Sequence, residues 1–356
     1  MTLHLVAQAH TTESPSSADP LSPPAAASLG GVAHSGRLTA LVKAVSTVCS
    51  GVVSIELCPA AAGETFPAFE AGAHIDLHLQ SGMVRSYSLH NAPGEHNRYA
   101  IGVLNDNASR GGSRWIHEHL RAGDHIPISS PRNLFALNEQ QPAHSVFVAG
   151  GIGVTPILSM LRRLVQLGRG AHVILCARSR SSAPFLDELV HLTSRGISLH
   201  THFDDEAGGA PCLRSLLAAH QPRDHFYCCG PSPMLTNFES TCAELGFANV
   251  HVERFKADQP VSPKTALTGH CTVELRKSGM TMEIPKNKPA LQAFLDAGVD
   301  IEFSCEEGVC GACETRILEG EAEHRDSVLS GAQKAAQKSM MVCVSRCRSD
   351  RMVLDL

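Results

Sequence analysis

Four cysteines near the carboxyl end of the chain constrain its fold more than any other feature. Cys305, Cys310 and Cys313 follow the spacing C-x4-C-x2-C, and Cys343 comes after twenty-nine further residues. This is the ligand spacing of plant-type [2Fe–2S] clusters, which are held by four thiolates. Two glycines lie between the first three cysteines, where the chain must turn tightly around an inorganic core. The pattern predicts an iron–sulfur domain with these four cysteines as the metal ligands.

Two alternatives for this site stay open from the sequence. A four-cysteine zinc site usually has its ligands in two closely spaced pairs, whereas Cys343 stands alone in the strand-like run 340–344. Cys347 is the only close rival of Cys343 as fourth ligand, but its neighbours Arg346 and Arg348 suggest a more exposed position. We therefore favour an iron–sulfur cluster that includes Cys343.

Length, charge and cysteine usage exclude several classes of protein. A chain of 356 residues is long enough for two or three domains with cores of their own, and we predict three. The net charge of −5 gives no indication of nucleic-acid binding. Thirteen cysteines, an odd number, favour reduced thiols over a disulfide framework. No apolar run approaches a membrane span, and no Lys or Arg precedes Arg37. We expect a cytoplasmic monomer without membrane or nucleic-acid partners.

Changes in composition and in apolar spacing divide the chain into a tail, three domains and a linker. Residues 1–36 are rich in Ser, Pro and Ala and are predicted to be disordered. Residues 37–139 contain six short β-patterned runs, typical of a small antiparallel barrel. Residues 140–256 alternate strands with helices, which predicts a parallel sheet covered on both faces. A linker at 257–270 then leads to an α+β domain of plant-type ferredoxin pattern at 271–356.

Two short motifs in the predicted barrel are candidates for ligand binding. The first is a strand segment, Arg85, Ser86, Tyr87 and Ser88. Its alternation would put the cation and the aromatic ring on one face and the two hydroxyls on the other. The second motif precedes a helical stretch and consists of Gly111, Gly112 and Ser113. Backbone N–H groups at a helix start, together with the helix dipole, suit a phosphate. Each motif alone is more often an ordinary exposed strand or helix cap.

The predicted parallel sheet has candidate segments at the carboxyl ends of two strands, where such sheets bind ligands. The loop after the first strand contains Gly150, Gly151, Gly153, Thr155 and Pro156. Thr155 is expected to cap the following helix and Pro156 to open it. Thr155 and Pro156 stand where G-x-G-x-x-G would have its third glycine, so an ordinary Rossmann dehydrogenase is not predicted. After the fourth strand come Cys229, Gly230 and Met234, whereas Cys228 is interpreted as a core residue.

Carboxylates crowd the end of the chain that carries the cysteines. They are Glu302, Glu306, Glu307, Glu314, Glu319, Glu321, Glu323 and Asp326. Such a run is usually a solvated face, but it also suits the docking of a basic partner. The sequence does not separate the two.

The order of these motifs resembles that of the phthalate dioxygenase reductase family, the FMN-containing reductases that include the vanillate O-demethylase reductase subunit. The resemblance covers roughly residues 37–356, with five motifs in the family's order. It implies that the barrel binds FMN, that the sheet binds NADH, and that the ferredoxin domain passes single electrons to a Rieske-type oxygenase, as in aromatic catabolism.

The resemblance also implies roles for single residues. Arg85, Ser86, Tyr87 and Ser88 would hold the isoalloxazine and ribityl chain. Gly111, Gly112 and Ser113 would bind the FMN phosphate. The NADH cleft would be lined by Gly150, Gly151, Gly153, Thr155 and Pro156, with Cys229, Gly230 and Met234 flanking the nicotinamide. Phe255 matches the aromatic residue that lies near the flavin in this family. Cys229, Thr155 and Phe255 are thus the residues expected at the hydride-transfer site.

The expected function is that of a reductase component. NADH delivers two electrons as a hydride, whereas a [2Fe–2S] cluster accepts one, so a flavin between them is chemically required. The partner is expected to dock on the acidic ferredoxin face. NADH is favoured over NADPH from the resemblance, although Arg178 and Arg180 would suit a 2′-phosphate. Two alternatives remain: a free-standing flavin or nitric-oxide-related reductase, and a non-enzymatic iron–sulfur redox sensor.

Overall fold

The structure is a computed structural model that describes residues 37–106, 110–139, 144–256 and 268–356. The predicted tail at 1–36 lies outside the described residues, as does the predicted linker up to residue 267. No helix within these four ranges is both long and apolar enough to span a membrane.

The first domain is an antiparallel barrel, as predicted. Its strands are β1 Leu38–Cys49, β2 Val52–Pro59, β3 His74–His78, β4 Val84–Ser88, β5 Tyr99–Leu104 and β6 His125–Ile128. They form one sheet in the order β4-β3-β6-β1-β2-β5. A β-bridge between Leu89, which directly follows β4, and Ile101 of β5 joins the two edge strands and closes the sheet. Alternate apolar side chains fill the interior, where Ile55, Leu77 and Ile101 have no exposed surface. Helix α1, Gly112–His119, follows β5.

The second domain is the predicted parallel sheet, with strands in the order β11-β10-β7-β8-β9. The strands are β7 Ser145–Gly150, β8 Ala171–Ala177, β9 Ile197–Phe203, β10 His225–Cys229 and β11 Val250–Glu253. The helices are α2 Val154–Gln166, α3 Leu186–Thr193, α4 Asp204–Ala207, α5 Leu213–Leu217 and α6 Ser232–Glu244, with 3-10 turns at Gly151–Gly153 and Arg180–Ser182. Phe147 of β7 belongs to the apolar cluster on the α2 and α3 side, and Val148 to the cluster on the α5 and α6 side. Helices therefore cover both faces.

The start of α2 differs from the expectation. The helix begins at Val154 with Gly153 at its N-cap, so Thr155 is its second residue and Pro156 its third. The reason is that the 3-10 turn Gly151–Gly153 runs directly into the helix and moves its start upstream. The Thr155 hydroxyl donates to the Ile152 carbonyl oxygen at 3.0 Å instead of capping the helix. Proline is tolerated in this first turn because its missing N–H would have no partner within the helix.

The third domain is a mixed sheet in the order β13-β12-β18-β14-β16, beside a small pair of β15 and β17. The strands are β12 His270–Leu275, β13 Met280–Pro285, β14 Glu314–Glu319, β15 Ala322–Glu323, β16 Ser339–Met341, β17 Arg346–Cys347 and β18 Arg351–Leu354. The helices are α7 Leu291–Asp296 and α8 Gly331–Ala336. The antiparallel strands β12 and β13 form a hairpin around Ser278 and Gly279. Together the three domains confirm the predicted fold class.

Two local expectations in this domain are wrong. The strand-like run ends at Met341, so Cys343 lies in the turn after β16. Cys347 is 2% exposed rather than exposed, because strand alternation turns it inward between its two arginine neighbours. Its thiol lies beside that of the fully buried Cys271.

Buried polar contacts join the barrel to the parallel sheet. His90 accepts or donates a hydrogen bond at 3.0 Å with the Ser54 hydroxyl, and its other ring nitrogen lies 3.2 Å from Arg162 of α2. The Ser159 hydroxyl donates to the Asn91 carbonyl oxygen at 2.9 Å. Burial lowers the pKa of His90 to about 3, so this contact is made by a neutral imidazole. The second domain is therefore held against the barrel in a defined orientation.

Candidate functional site

The two candidate segments of the parallel sheet meet where β7 and β10 end. A Cβ at Gly153 would lie 2.1 Å from the Cys229 carbonyl oxygen, and one at Gly150 would lie 2.7 Å from the Met234 sulfur. The same Cβ at Gly150 would lie 3.1 Å from the Gly230 Cα. Strand β7 has β8 on one side and β10 on the other, so the strand order reverses here. In open parallel sheets this switch point is where ligands bind.

The remaining residues of the glycine-rich loop have different surroundings. Gly151 has a φ of 52° and no atom within 4 Å of an added Cβ, so its backbone is open to a ligand. Thr155 is 2% exposed, and its methyl group would lie 2.7 Å from a Cβ at Gly102 of β5. Pro156 is buried in α2. Thr155 therefore seats the loop on the barrel, and its hydroxyl is already engaged with Ile152.

A residue without a predicted role, Glu253, joins the barrel to the end of β10. Its carboxylate accepts hydrogen bonds from the Ser88 hydroxyl at 3.3 Å and from the Cys229 thiol at 3.9 Å. Desolvation raises the pKa of Glu253 to about 8, although both hydrogen bonds oppose the shift. Burial likewise raises the pKa of Cys229 well above its usual value, so this thiol is neutral.

The position of Glu253 follows from strand pairing. Strands β10 and β11 are parallel neighbours, with Glu253 paired to Cys229. In the sequence, the signal for this site is an acidic residue at the end of β11, the strand that pairs with β10. In this segment the resemblance assigns a role to Phe255 alone.

The glycine-rich loop of the barrel forms a cradle beside Arg85. A Cβ at Gly112 would lie 2.6 Å from the Arg85 Nε, so only glycine allows the guanidinium to lie across the loop. Gly111 has a φ of 96° and occupies the N-cap of α1 without a side-chain cap. The Ser113 hydroxyl accepts a hydrogen bond from the Asp106 backbone N–H at 3.3 Å. A helix start next to an arginine fits an anionic phosphate.

Strand β4 places its two hydroxyls against different domains. The Ser86 hydroxyl donates to Asp76 at 2.6 Å and lies 3.2 Å from the hydroxyl of Ser304, next to the first cysteine. Ser88 contacts Glu253 of the parallel sheet instead. Tyr87 faces the other way and packs partly on the barrel core, where burial raises its pKa. These contacts follow the predicted alternation of the strand.

Phe255 lies beyond β11 with 39% of its surface exposed. The next residue, Lys256, forms an ion pair with Asp106, whose backbone N–H donates to Ser113. Phe255 is thereby held near the glycine-rich loop of the barrel. An exposed aromatic ring at this position is suited to stacking on a flat ligand.

The four predicted metal ligands are all buried, with exposed fractions of 3–8%. Their thiols interact in two pairs, Cys305 with Cys310 and Cys313 with Cys343. Within the described ranges, no group of three or more His, Cys, Asp or Glu side chains could hold one metal ion. Two thiol pairs fit a two-iron cluster, in which each iron takes two thiolates, better than a single zinc ion.

The segment 303–313, called the cysteine loop below, turns a backbone N–H toward a cysteine sulfur and lies against the barrel. The Glu307 backbone N–H donates to the Cys305 sulfur at 3.3 Å. Gly308 and Gly311 have φ values of 69° and 73°, which favour glycine. A Cβ at Gly311 would lie 2.9 Å from Leu134 of the first domain. The site thus fits an iron–sulfur cluster close to the predicted flavin site.

Comparison with known proteins agrees with this arrangement. Residues 273–348 match the model of a 2Fe-2S iron-sulfur cluster binding domain, and residues 147–240 match that of an oxidoreductase NAD-binding domain. The chain is 46% identical over 288 residues to phenoxybenzoate dioxygenase subunit beta of Ectopseudomonas oleovorans, covering 81% of this chain and 88% of the relative. It is 39% identical to vanillate O-demethylase oxidoreductase of a Pseudomonas species, covering 89% and 99%. The solved structure of phthalate dioxygenase reductase, described as modular for electron transfer from pyridine nucleotides to [2Fe-2S], matches with a TM-score of 0.65 and 35% identity, covering 90% and 98%.

An antiparallel barrel, a nicotinamide-binding sheet and a [2Fe–2S] domain in one chain define an electron-transfer reductase of oxygenase systems. The chain belongs to the phthalate dioxygenase reductase family. It is an oxidoreductase, and the predicted set of FMN, NADH and a [2Fe–2S] cluster is that of this family.

Proposed function

We propose that this chain is the reductase component of a two-component Rieske-type oxygenase or demethylase. One observation carries the proposal: a single strand, β4, contacts both other domains through hydroxyls two residues apart. Ser88 contacts Glu253 at the nicotinamide side, and Ser86 contacts Ser304 beside the cysteines. A flavin bound along this strand would lie between the electron donor and the electron acceptor.

The proposed binding residues each have a physical role. The Arg85 guanidinium and the start of α1 would neutralise the FMN phosphate, while Ser86, Tyr87 and Ser88 would orient the ring system. The glycines at the ends of β7 and β10 would let the nicotinamide approach the barrel closely. Bound FMN would supply the conversion between a two-electron hydride donor and a one-electron acceptor. Glu253 would fix the hydroxyl of Ser88 and the thiol of Cys229 at the meeting point of the two ligands.

The partner is proposed to be a Rieske-type oxygenase that docks on the ferredoxin face by charge. Glu307 pairs with Arg110, so this carboxylate faces the barrel rather than a docking partner. Asp300, Glu302, Glu314 and Asp355 instead line a cleft of about 360 Å³ next to Ala312 and hence to the proposed ligand Cys313. Lys277 and Arg316 also line it, so that carboxylates outnumber cations there. A basic segment of the oxygenase would be attracted there, and such complementarity mainly raises the encounter rate. We further propose a cytoplasmic monomer.

The test uses the purified full-length protein. We expect one FMN and one [2Fe–2S] per chain, measured by the visible spectrum, mass analysis of the released flavin, and iron and sulfide content. NADH should reduce both ferricyanide and cytochrome c, and only cytochrome c reduction should depend on the cluster. A free-standing flavin reductase would reduce both acceptors without the cluster, whereas a redox sensor would not turn over NADH. Zinc without sulfide would overturn the proposal.

A further inference from the structure

Arg110 of the barrel holds two groups of the cysteine loop. Its guanidinium Nη2 donates a hydrogen bond to the carbonyl oxygen of Cys305, a proposed cluster ligand. The same nitrogen lies 3.1 Å from the Oε1 of Glu307. Arg110 and Glu307 are 47% and 33% exposed, so neither is a core residue. Arg110, a cationic side chain of the first domain, therefore contacts the third domain at two residues, Cys305 and Glu307.

The contact between Arg110 and Glu307 links the proposed phosphate cradle to the first cluster ligand. On the barrel side, Arg110 directly precedes Gly111, the N-cap of α1 and part of the proposed phosphate cradle. On the other side, the Glu307 backbone N–H donates to the Cys305 sulfur. Movement at Arg110 would therefore change the distance between the proposed flavin site and the first cluster ligand.

The buried His74 ring lies against the Cys310 backbone, and the Arg132 charge interacts with Cys310 and Glu302. Two further contacts between these surfaces are made by uncharged side chains. Ser86 and Ser304 meet at 3.2 Å, and Leu134 packs beside Gly311. A hydroxyl pair and one apolar contact are weak compared with a charge-assisted hydrogen bond. Arg110 is the side chain that adds a charged contact with Glu307 to this surface.

We propose that Arg110 is a positioning residue that seats the cysteine loop on the barrel and thereby sets the rate of electron transfer from flavin to cluster. The proposal rests on the proposed function, since it needs both cofactors. Arg110 acts through the Cys305 carbonyl and the Glu307 carboxylate, and it carries no electron or proton. Partly exposed ion pairs contribute little to global stability. The effect should therefore appear in the position of the loop rather than in the melting temperature.

The kinetic test compares Arg110→Ala with Arg114→Ala, which removes an exposed arginine from α1 four residues further on. The FMN and iron content of each variant is first confirmed to be normal. Each variant is then mixed with NADH in a stopped-flow instrument, and the absorbance of the flavin and that of the cluster are followed separately. Arg110→Ala should slow cluster reduction by up to about tenfold, the factor by which the loss of one charge-assisted hydrogen bond can lower the population of the seated loop. Flavin reduction should equal that of Arg114→Ala. Arg110→Lys should recover part of the rate.

Charge exchange tests whether the ion pair itself is responsible. Arg110→Glu and Glu307→Arg should each slow cluster reduction. The double variant should recover only the part due to the ion pair, because a glutamate at position 110 cannot donate to the Cys305 carbonyl oxygen. If Arg110→Ala loses FMN, Glu307→Gln tests the same contact from the third domain. Hydrogen–deuterium exchange of the resting protein should show faster exchange in residues 303–308 for Arg110→Ala than for Arg114→Ala.

The outcomes separate this inference from the proposed function. Absence of flavin or cluster in the unaltered protein would refute the proposed function. If both are present and the Arg110 and Glu307 variants reduce the cluster as fast as Arg114→Ala, only the positioning role is refuted. Unchanged hydrogen–deuterium exchange of residues 303–308 in Arg110→Ala would also refute it.

Discussion

The Ser88 hydroxyl donates a 3.3 Å hydrogen bond to the carboxylate of Glu253, a residue 165 positions further along the chain. The bond joins the strand proposed to bind flavin to the last strand of the nicotinamide-binding sheet. It depends on the closing of the barrel and on the parallel pairing of β10 with β11. The meeting point of the two domains is therefore built by a carboxyl group that is largely removed from water.

Glu253 should make the stability of the protein depend on pH. Its pKa is raised from 4.5 to about 8, so the folded state keeps a proton that the unfolded chain releases at lower pH. The contribution of this group is present below about 4.5 and is lost as pH rises to about 8, at up to about 1.4 kcal/mol per pH unit.

The measurement is denaturant unfolding of the protein and of Glu253→Gln between pH 5 and pH 8. The free energy of unfolding of the variant should decline less over this interval. Parallel curves would show that Glu253 has an ordinary pKa.

The cluster and the flavin site should be separable by mutation. Cys313→Ser should abolish the cluster and cytochrome c reduction, while NADH-dependent ferricyanide reduction stays within about twofold, because the proposed flavin and nicotinamide residues lie in other domains. Cys212→Ser is the matched control, since this exposed cysteine is distant in sequence from the cysteine loop. The readouts are the visible spectrum, iron content and the two activities.

The fourth ligand is tested in the same way. Cys343→Ser should lose the cluster. Cys347→Ser should keep it, because the Cys347 thiol contacts Cys271 and none of the four proposed ligands. A cluster that survives in Cys343→Ser would contradict the proposed ligand set.

NADH should be preferred to NADPH by at least about tenfold in kcat/KM, or roughly 1.4 kcal/mol. Arg180 pairs with Glu206 at 3.3 Å and lies over the Phe203 ring, and Asp204 and Asp205 directly precede Glu206 in α4. Carboxylates near the adenosine ribose disfavour a 2′-phosphate.

Glu206→Gln should reduce the preference by freeing Arg180. Glu244→Gln removes the partner of Arg214 in a similarly exposed pair and should leave the preference unchanged. Equal use of the two cofactors by the unaltered protein would contradict this prediction.

Transfer to the oxygenase should slow as salt rises, because docking charges are screened beyond roughly 10 Å at about 0.1 M salt. Reversal of Glu302 and Glu314 to lysine should mimic this effect, whereas Glu283→Lys on the edge strand β13 should not. Oxygenase turnover is measured with the cluster spectrum as control. Indifference to salt and to the two reversals would mean that the acidic run is only a solvated face.

The sequence alone predicted most of the architecture, because its signals are local. Alternating apolar residues define the barrel strands, strand–helix alternation defines the parallel sheet, and the cysteine spacing defines the iron–sulfur domain. Local rules failed at the start of α2, where a 3-10 turn moved the N-cap to Gly153, and at Cys347, which strand alternation buried. Contacts between distant segments required the tertiary structure: Glu253 with Ser88, and Arg110 with Glu307. Each of these depends on how the domains pack together, and neither residue's own neighbours in the chain specify its partner.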